Sequence, residues 1–318
     1  MRAVRYHQYG PPEVLRVEEV PPPQAGAGEV LVEVHAASVG GGELAIRSGG
    51  LRRLLRLRLP QGVGVDFAGR VAAAGAGVRG ARVGDAVWGL LPHGAFGSTA
   101  EHVVVPERRL GPAPRDVDLV AAAALPAVGT TAITALVERA RLRSGERLLV
   151  RGASGGLGST AVQLGKALGA HVTALAGARN LDWVAELGAD TVLDHRRTAP
   201  ADLGRFDVVL DAVGTDLAAY RRTLTRNGRM LALALDPHHP VRSAAFVAWS
   251  GIAHRGRVQA FSNDPSAERI AELTRYVESG AIRPLLDTVF PMDDVAEAHR
   301  RLEAGGVRGK HVIAVRGA

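Results

Sequence analysis

The chain has 318 residues, of which 47% are hydrophobic, 22% charged and 4% aromatic, with 39 Gly, 17 Pro, no Cys and a formal charge of +7. That length suggests two domains, each able to bury a real core, and the apolar content excludes a wholly disordered chain. Without cysteine there is no disulfide framework, no Cys-ligated metal or iron–sulfur centre and no cysteine nucleophile.

The first residues, Met1-Arg2-Ala3-Val4-Arg5-Tyr6, lack the apolar core of a signal peptide. No uninterrupted apolar run reaches membrane-spanning length, so the expectation is a soluble, cytoplasmic protein with no membrane partner. Residues 1 to about 120 read as β-rich. Strand-like runs fall at Leu15–Val20, Glu29–Ala37, Asp66–Ala74, Ala86–Leu91 and Ala100–Val105, each bounded by Gly or Pro. Between them Arg52, Arg53, Arg56 and Arg58 interleave with leucines, as in an amphipathic surface turn or lid. The positive charge does not point to nucleic acid. Only Lys166 and Lys310 are lysines among 39 basic residues, and the arginines are spread among 32 acids.

From Asp118 the pattern changes. Leu119–Leu125 and Thr130–Arg141 read as helices, and then strand-like and helical segments alternate. Strands are predicted at Arg147–Arg151, His171–Leu175, Thr191–Leu193, Asp207–Leu210, Arg229–Leu235 and Arg257–Phe261, with helices running to Leu168 and Leu187. That alternation is the mark of βαβ units and a parallel sheet. A helix over Ser266–Ser279 follows, then a β segment, a helix over Val295–Ala304 and a last strand over His311–Val315. The fold class is therefore α/β, a doubly wound parallel-sheet domain beside a β-rich one.

The most informative stretch is Leu148-Leu149-Val150-Arg151-Gly152-Ala153-Ser154-Gly155-Gly156-Leu157-Gly158. A buried strand feeds a glycine turn that opens a helix, whose first N–H groups form an anion site. Against G-x-G-x-x-G, Ala153 replaces the first glycine, while Gly155 and Gly158 match. Gly155 lets the backbone approach a pyrophosphate, and Gly158 lets helix and strand pack closely. Ser154, Gly155, Gly156 and Leu157 are the candidate phosphate contacts. The same residues also satisfy Gly152-x-Ser154-x-Gly156, a nucleophile elbow, with Asp211 and His238 or His239 as conceivable triad partners. Gly158 has no task in an elbow, and Asp211-Ala212-Val213-Gly214 suits a nicotinamide lying at the sheet's edge. Nucleotide binding is the better reading.

Cofactor choice follows from the next strand. NAD-specific sites expect Asp or Glu about 20 residues beyond the turn. Here the strand ends in Ala176-Gly177-Ala178-Arg179-Asn180, with no acid before Asp182. Gly177 gives room, Arg179 offers a fork for a 2′-phosphate, and His195 adds a donor, so the cofactor is read as NADPH.

These residues resemble the medium-chain dehydrogenase/reductase superfamily along essentially the whole chain, and most of all its zinc-independent quinone-oxidoreductase branch. The resemblance rests on Tyr9-Gly10-Pro11-Pro12-Glu13-Val14-Leu15, Gly64-Val65-Asp66-Phe67-Ala68-Gly69, Val83-Gly84-Asp85-Ala86-Val87, Ala123-Ala124-Leu125-Pro126 with Thr131-Ala132, Arg179-Asn180 with Leu187-Gly188-Ala189-Asp190, and Ala296-Glu297-Ala298-His299 with Arg308-Gly309-Lys310. It implies a GroES-like catalytic domain from residues 1–121 and 286–318, a Rossmann NADPH-binding domain over 122–285, a cleft between them and a homodimer joined through the Rossmann sheet. It also implies cofactor contacts from Thr131, Val213 and Lys310. Zinc-dependent relatives place Cys near position 40 and His-Glu at positions 65 and 66; here stand Gly40, Val65 and Asp66, so no metal is expected. His93, His102 and the His238-His239 pair, set in a loop between Pro237 and Pro240, are no substitute.

One departure matters. Where zinc-free members usually carry Asn-Pro-x-Asp, this chain has Gly40-Gly41-Gly42-Glu43, expected to be a loosened loop. Glu43 is the one candidate catalytic side chain, with a carboxylate that caps the loop as the plainer role. The reading is an NADPH-dependent reductase delivering hydride to a quinone or activated double bond of a small molecule. A biosynthetic enzyme acting on a large natural-product intermediate, by enoyl reduction or rearrangement, is the alternative. A Ser154 hydrolase and a non-catalytic nucleotide-binding protein come after it.

Overall fold

The computed structural model describes residues 1–52, 57–236, 239–253 and 257–316. Two compact units form, one from Met1–Thr130 with Asp264–Ala318, the other from Thr131–Asn263. The sequence reading drew its boundaries at 121/122 and 285/286. The difference arises because the helix over Ala267–Glu278 packs in the first unit, where Trp88 Nε1 donates to Thr274 Oγ1 (3.1 Å).

In chain order the first unit begins with β1 (Arg2–Tyr6), β2 (Arg16–Glu19), β3 (Glu29–Ser38), helix α1 (Gly41–Arg47), β4 (Gln61–Gly62), β5 (Asp66–Ala74), β6 (Ala86–Leu90), β7 (His102–Pro106), β8 (Leu110–Pro112) and α2 (Leu119–Ala122). Helix α3 (Pro126–Ile133) leads into the second unit. There β9 (Arg147–Arg151), α4 (Gly156–Ala167), β10 (His171–Ala176), α5 (Leu181–Glu186), β11 (Thr191–Asp194), β12 (Phe206–Asp211), α6 (Leu217–Arg221), β13 (Leu224–Ala232), α7 (Pro240–Ala253) and β14 (Val258–Gln259) follow. The chain returns to the first unit with α8 (Ala267–Glu278), β15 (Leu286–Pro291), α9 (Val295–Ala304) and β16 (Lys310–Ala314).

The first unit is built on a seven-stranded sheet in the order β15-β16-β3-β5-β6-β8, with β7 also paired to β3. Alternate residues of β3 are buried, so Val30, Val32 and Val34 face a core shared with Phe67, Val71, Val87, Val103, Val105 and Ile313. Strand β16 pairs antiparallel to β3, placing Val312 opposite Ser38, so the last strand of the chain joins the sheet begun by β3. Gly69 sits where a Cβ would stand 2.1 Å from the Glu33 carbonyl oxygen, so only glycine lets β3 and β5 approach there.

The second unit is a six-stranded sheet in the order β11-β10-β9-β12-β13-β14, every pair parallel. Leu149, Leu175, Val209 and Met230 share one core with Leu217 and Tyr220 of α6. The order reverses between β9 and β12, and in open parallel sheets ligands bind beyond the strand ends at such a reversal.

Some expectations are corrected. Strand β1 and helix α6 had no counterpart in the sequence reading. The helix expected over Thr130–Arg141 is present but starts earlier, as α3, and continues as a π-helical stretch over Thr134–Arg139, where Ala140 N–H donates to the Ala135 carbonyl oxygen. Pro240 opens α7 rather than sitting in a loop; proline at the first helical position lacks only an N–H that the helix does not use. Helix α1 forms in place of a loosened glycine loop. Arg53 and Arg56 of the arginine cluster, and His238, lie outside the described residues.

Candidate functional site

The turn after β9 carries the most chemistry. Helix α4 starts at Gly156 with Gly155 as its cap residue, and no side chain satisfies its first N–H groups. The glycines of the turn have different reasons to be there. Gly152 has φ of +74°, a conformation that disfavours other residues. At Gly158 a Cβ would stand 2.1 Å from the Gly152 carbonyl oxygen, so close packing of helix on strand demands glycine. At Gly155, with φ of −77°, a Cβ would meet nothing closer than that same oxygen at 3.6 Å. The protein's own packing does not require glycine at 155. What the missing side chain provides is open space at the mouth of an uncapped helix.

Two neighbouring strand ends complete this edge. Gly177 follows β10, and a Cβ there would stand 3.7 Å from His195 Cε1, just after β11. His195 holds the β10 end twice, its backbone N–H and its Nδ1 each 3.0 Å from the Ala176 carbonyl oxygen. Arg179 lies exposed in the short turn Ala178–Asn180. On the other side of β9, Val213 packs against the turn, 3.1 Å from where a Gly152 Cβ would be, and is 37% exposed. The structure thus groups Ser154, Gly155, Gly156, Leu157 and Val213 at one turn, and Gly177, Arg179 and His195 at the adjacent strand ends. Thr131 lies on α3, at the start of the second unit.

Sequence reasoning missed how the loop after β12 is held. Arg151 and Asp211, both buried, form an ion pair across β9 and β12. Asp211 Oδ1 accepts from Val213 N (3.0 Å) and Gly214 N (2.6 Å), while Arg151 Nη1 donates to the Thr215 carbonyl (2.8 Å). The guanidinium stacks 3.5 Å over the Tyr220 ring. A charge closing an apolar strand was the available signal. The hydrolase reading loses its acid here, since Asp211 is committed to Arg151 and two backbone N–H groups.

In the first unit, Glu43 Oε1 accepts from Gly40 N (3.1 Å) and Oε2 from Gly64 N (3.0 Å). Glu43 caps α1 and ties it to the segment before β5. Burial pushes its carboxyl up to about 7, the nearby Lys310 ammonium opposing and Asp66 reinforcing the shift. Lys310, buried at the head of β16, comes 3.9 Å from where a Gly40 Cβ would stand. A Cβ at Gly41 or Gly42 would meet nothing within 4 Å. Asp66 takes hydrogen bonds from Ser38 Oγ (2.8 and 2.9 Å) and Ala127 N (3.2 Å). Among the described residues no three His, Asp or Glu side chains are grouped to hold a metal, and the chain has no Cys. These residues do not fit a catalytic zinc.

Comparison with known proteins agrees with this architecture. The alcohol dehydrogenase GroES-like domain family matches residues 26–115, and the zinc-binding dehydrogenase family matches residues 187–313. A chloroplast envelope quinone oxidoreductase homolog of Arabidopsis thaliana is 31% identical over 98% of both chains. The trans-enoyl reductase pgmF of Aspergillus terreus is 31% identical over 91% of this chain and 87% of its own. The solved structure of mycobacterial Rv1454c complexed with NADPH superposes with a TM-score of 0.82, at 27% identity over 99% of both chains. The chain is an oxidoreductase of the medium-chain dehydrogenase/reductase superfamily and belongs with its quinone-oxidoreductase-like members.

Proposed function

We propose that this oxidoreductase uses NADPH to reduce a quinone or an activated, electron-poor double bond of a small molecule. The observation that carries the reading is Gly155, a glycine that the fold's own packing does not require, at the head of an uncapped helix where the sheet order reverses. Ser154, Gly155, Gly156 and Leu157 would hold the pyrophosphate through backbone N–H groups. Arg179 and His195 would meet the 2′-phosphate, and Val213 would pack beside the nicotinamide. Thr131 and Lys310 are further proposed contacts. When bound, the dinucleotide supplies the hydride, and solvent supplies the proton. The chain's task is to orient the ring and keep water from it.

A second reading, reduction of a bulky biosynthetic enoyl intermediate, is favoured by Gly41 and Gly42, where side chains are absent and nothing fills their place. In either case we propose a homodimer joined through the parallel sheet of the second unit. The test is NADPH oxidation by the purified protein against quinones and α,β-unsaturated carbonyl compounds of increasing size. Turnover of small quinones supports the first reading, and turnover confined to bulky enoyl substrates supports the second. No NADPH binding in calorimetry would overturn both.

A further inference from the structure

We propose that His195 makes cofactor choice proton-dependent, recognising the 2′-phosphate only as an imidazolium. This rests on the NADPH reading above and deepens it. The Ala176 carbonyl oxygen carries no hydrogen, so the 3.0 Å contact with His195 Nδ1 fixes the proton on Nδ1. The same carbonyl also takes the His195 backbone N–H, so the ring is held at both ends of its own residue. Nε2 of the exposed neutral ring is then a bare acceptor, with no hydrogen-bond partner among the described residues. A bare acceptor facing a phosphate oxygen repels it. Once protonated, Nε2 becomes a charged donor, and the contact turns into a charge-assisted hydrogen bond.

Charged groups of both signs surround the ring. On its own loop stand Asp194, Arg196 and Arg197. The Asp194 carboxylate already accepts from Arg196 N (3.0 Å) and lies 3.9 Å from Arg197 Nε. The turn after β10 brings Arg179, and α5, which packs on β11, carries Asp182 and Glu186. Binding of NADPH to the neutral ring would draw a proton onto Nε2, whereas NADH, with no phosphate there, would draw none.

Dissociation constants for NADPH and NADH are measured from pH 5.5 to 8.5 in wild type, His195→Ala and His195→Arg. The cofactor's own phosphate titrates near pH 6 in every protein, so the difference between variants isolates the imidazole. Wild type should lose NADPH affinity at least about fivefold more than His195→Ala between pH 6 and 8, since one linked proton permits up to tenfold per pH unit. NADH affinity should stay level. His195→Arg, always charged, should keep its NADPH preference at pH 8.5. A wild-type NADPH preference with the same pH profile as His195→Ala overturns the proposal. A wild type that does not prefer NADPH at any pH overturns the cofactor reading on which it rests.

Discussion

Arg151 and Asp211 stand at the ends of adjacent parallel strands and together fix the loop that carries Val213. Removing the carboxylate leaves a buried guanidinium without its counter-charge and frees two backbone N–H groups at once. Asp211→Ala should therefore cost about 3–5 kcal/mol in urea unfolding. Arg151→Met should cost less, because the carboxylate keeps Val213 N–H and Gly214 N–H. A loss below about 1 kcal/mol for Asp211→Ala would show that the pair does not organise the loop.

Gly155 and Gly158 lie three residues apart and should respond in opposite ways. Gly158→Ala drives a methyl into the Gly152 carbonyl and should destabilise the second unit by roughly 1–3 kcal/mol. Gly155→Ala has room and an ordinary backbone conformation, so stability should stay within about 0.5 kcal/mol of wild type. Its loss should appear in NADPH affinity instead. Equal NADPH binding by Gly155→Ala and wild type would remove the central support for a dinucleotide at this turn.

Both glycines were legible in the sequence because strand, turn and helix signals lie side by side there. The parallel sheet was legible for the same reason: each βα step is local. The Arg151–Asp211 pair was not, since it joins residues 60 apart whose meeting depends on strand order. Strand β1 escaped because its residues do not alternate simply: Ala3 and Val4 are both buried, and β2 and β4 flank it from distant segments. Helix α1 ran against propensity, as glycine disfavours helices. The carboxylate of Glu43 offsets this by fixing Gly40 and Gly64 to the helix, a long-range tie that no local pattern announces.

Arg179 sits where the adenosine ribose is expected, one turn past β10, with no carboxylate before Asp182 to repel a phosphate. A charged hydrogen bond contributes about 1.5–3 kcal/mol, so Arg179→Ala should weaken NADPH binding roughly 10- to 150-fold. NADH binding should hardly change. Equal losses for the two cofactors would mean that Arg179 supports the fold instead of reading the phosphate.

Ser154 offers a separate check on the chemistry. With its hydroxyl also donating to the phosphate, beside the backbone N–H that alanine keeps, Ser154 contributes one side-chain hydrogen bond, so Ser154→Ala should lower NADPH affinity by about 0.5–1.5 kcal/mol and leave turnover in place. Covalent labelling of Ser154 by a serine-reactive phosphonate would defeat the reductase reading.

Glu43 and His299 should give the first unit opposing pH dependences. Glu43 titrates near 7 in the fold and near 4.5 when unfolded, so between these values the folded state holds a proton that the unfolded chain has released. Its contribution to stability therefore falls as pH rises through that window and levels off above 7. His299 is fully buried with neither ring nitrogen hydrogen-bonded. Burial first, and then the Arg47 guanidinium, pull its imidazole down from 6.5 to about 3. The unfolded chain takes up a proton that the fold refuses, so this contribution falls as pH drops from 6.5 towards 3. Each group acts with a limiting slope of about 1.4 kcal/mol per pH unit, and between 4.5 and 6.5 the two oppose each other. The stability difference between wild type and Glu43→Gln should thus decline with rising pH, while that between wild type and His299→Leu should climb. Chemical unfolding at half-unit steps from pH 4 to 8 reads both slopes, and comparison with each variant cancels the carboxylates that titrate elsewhere. A level difference for Glu43→Gln would mean that Glu43 keeps its charge inside the fold, held by Lys310 and the two N–H donors against the cost of burial.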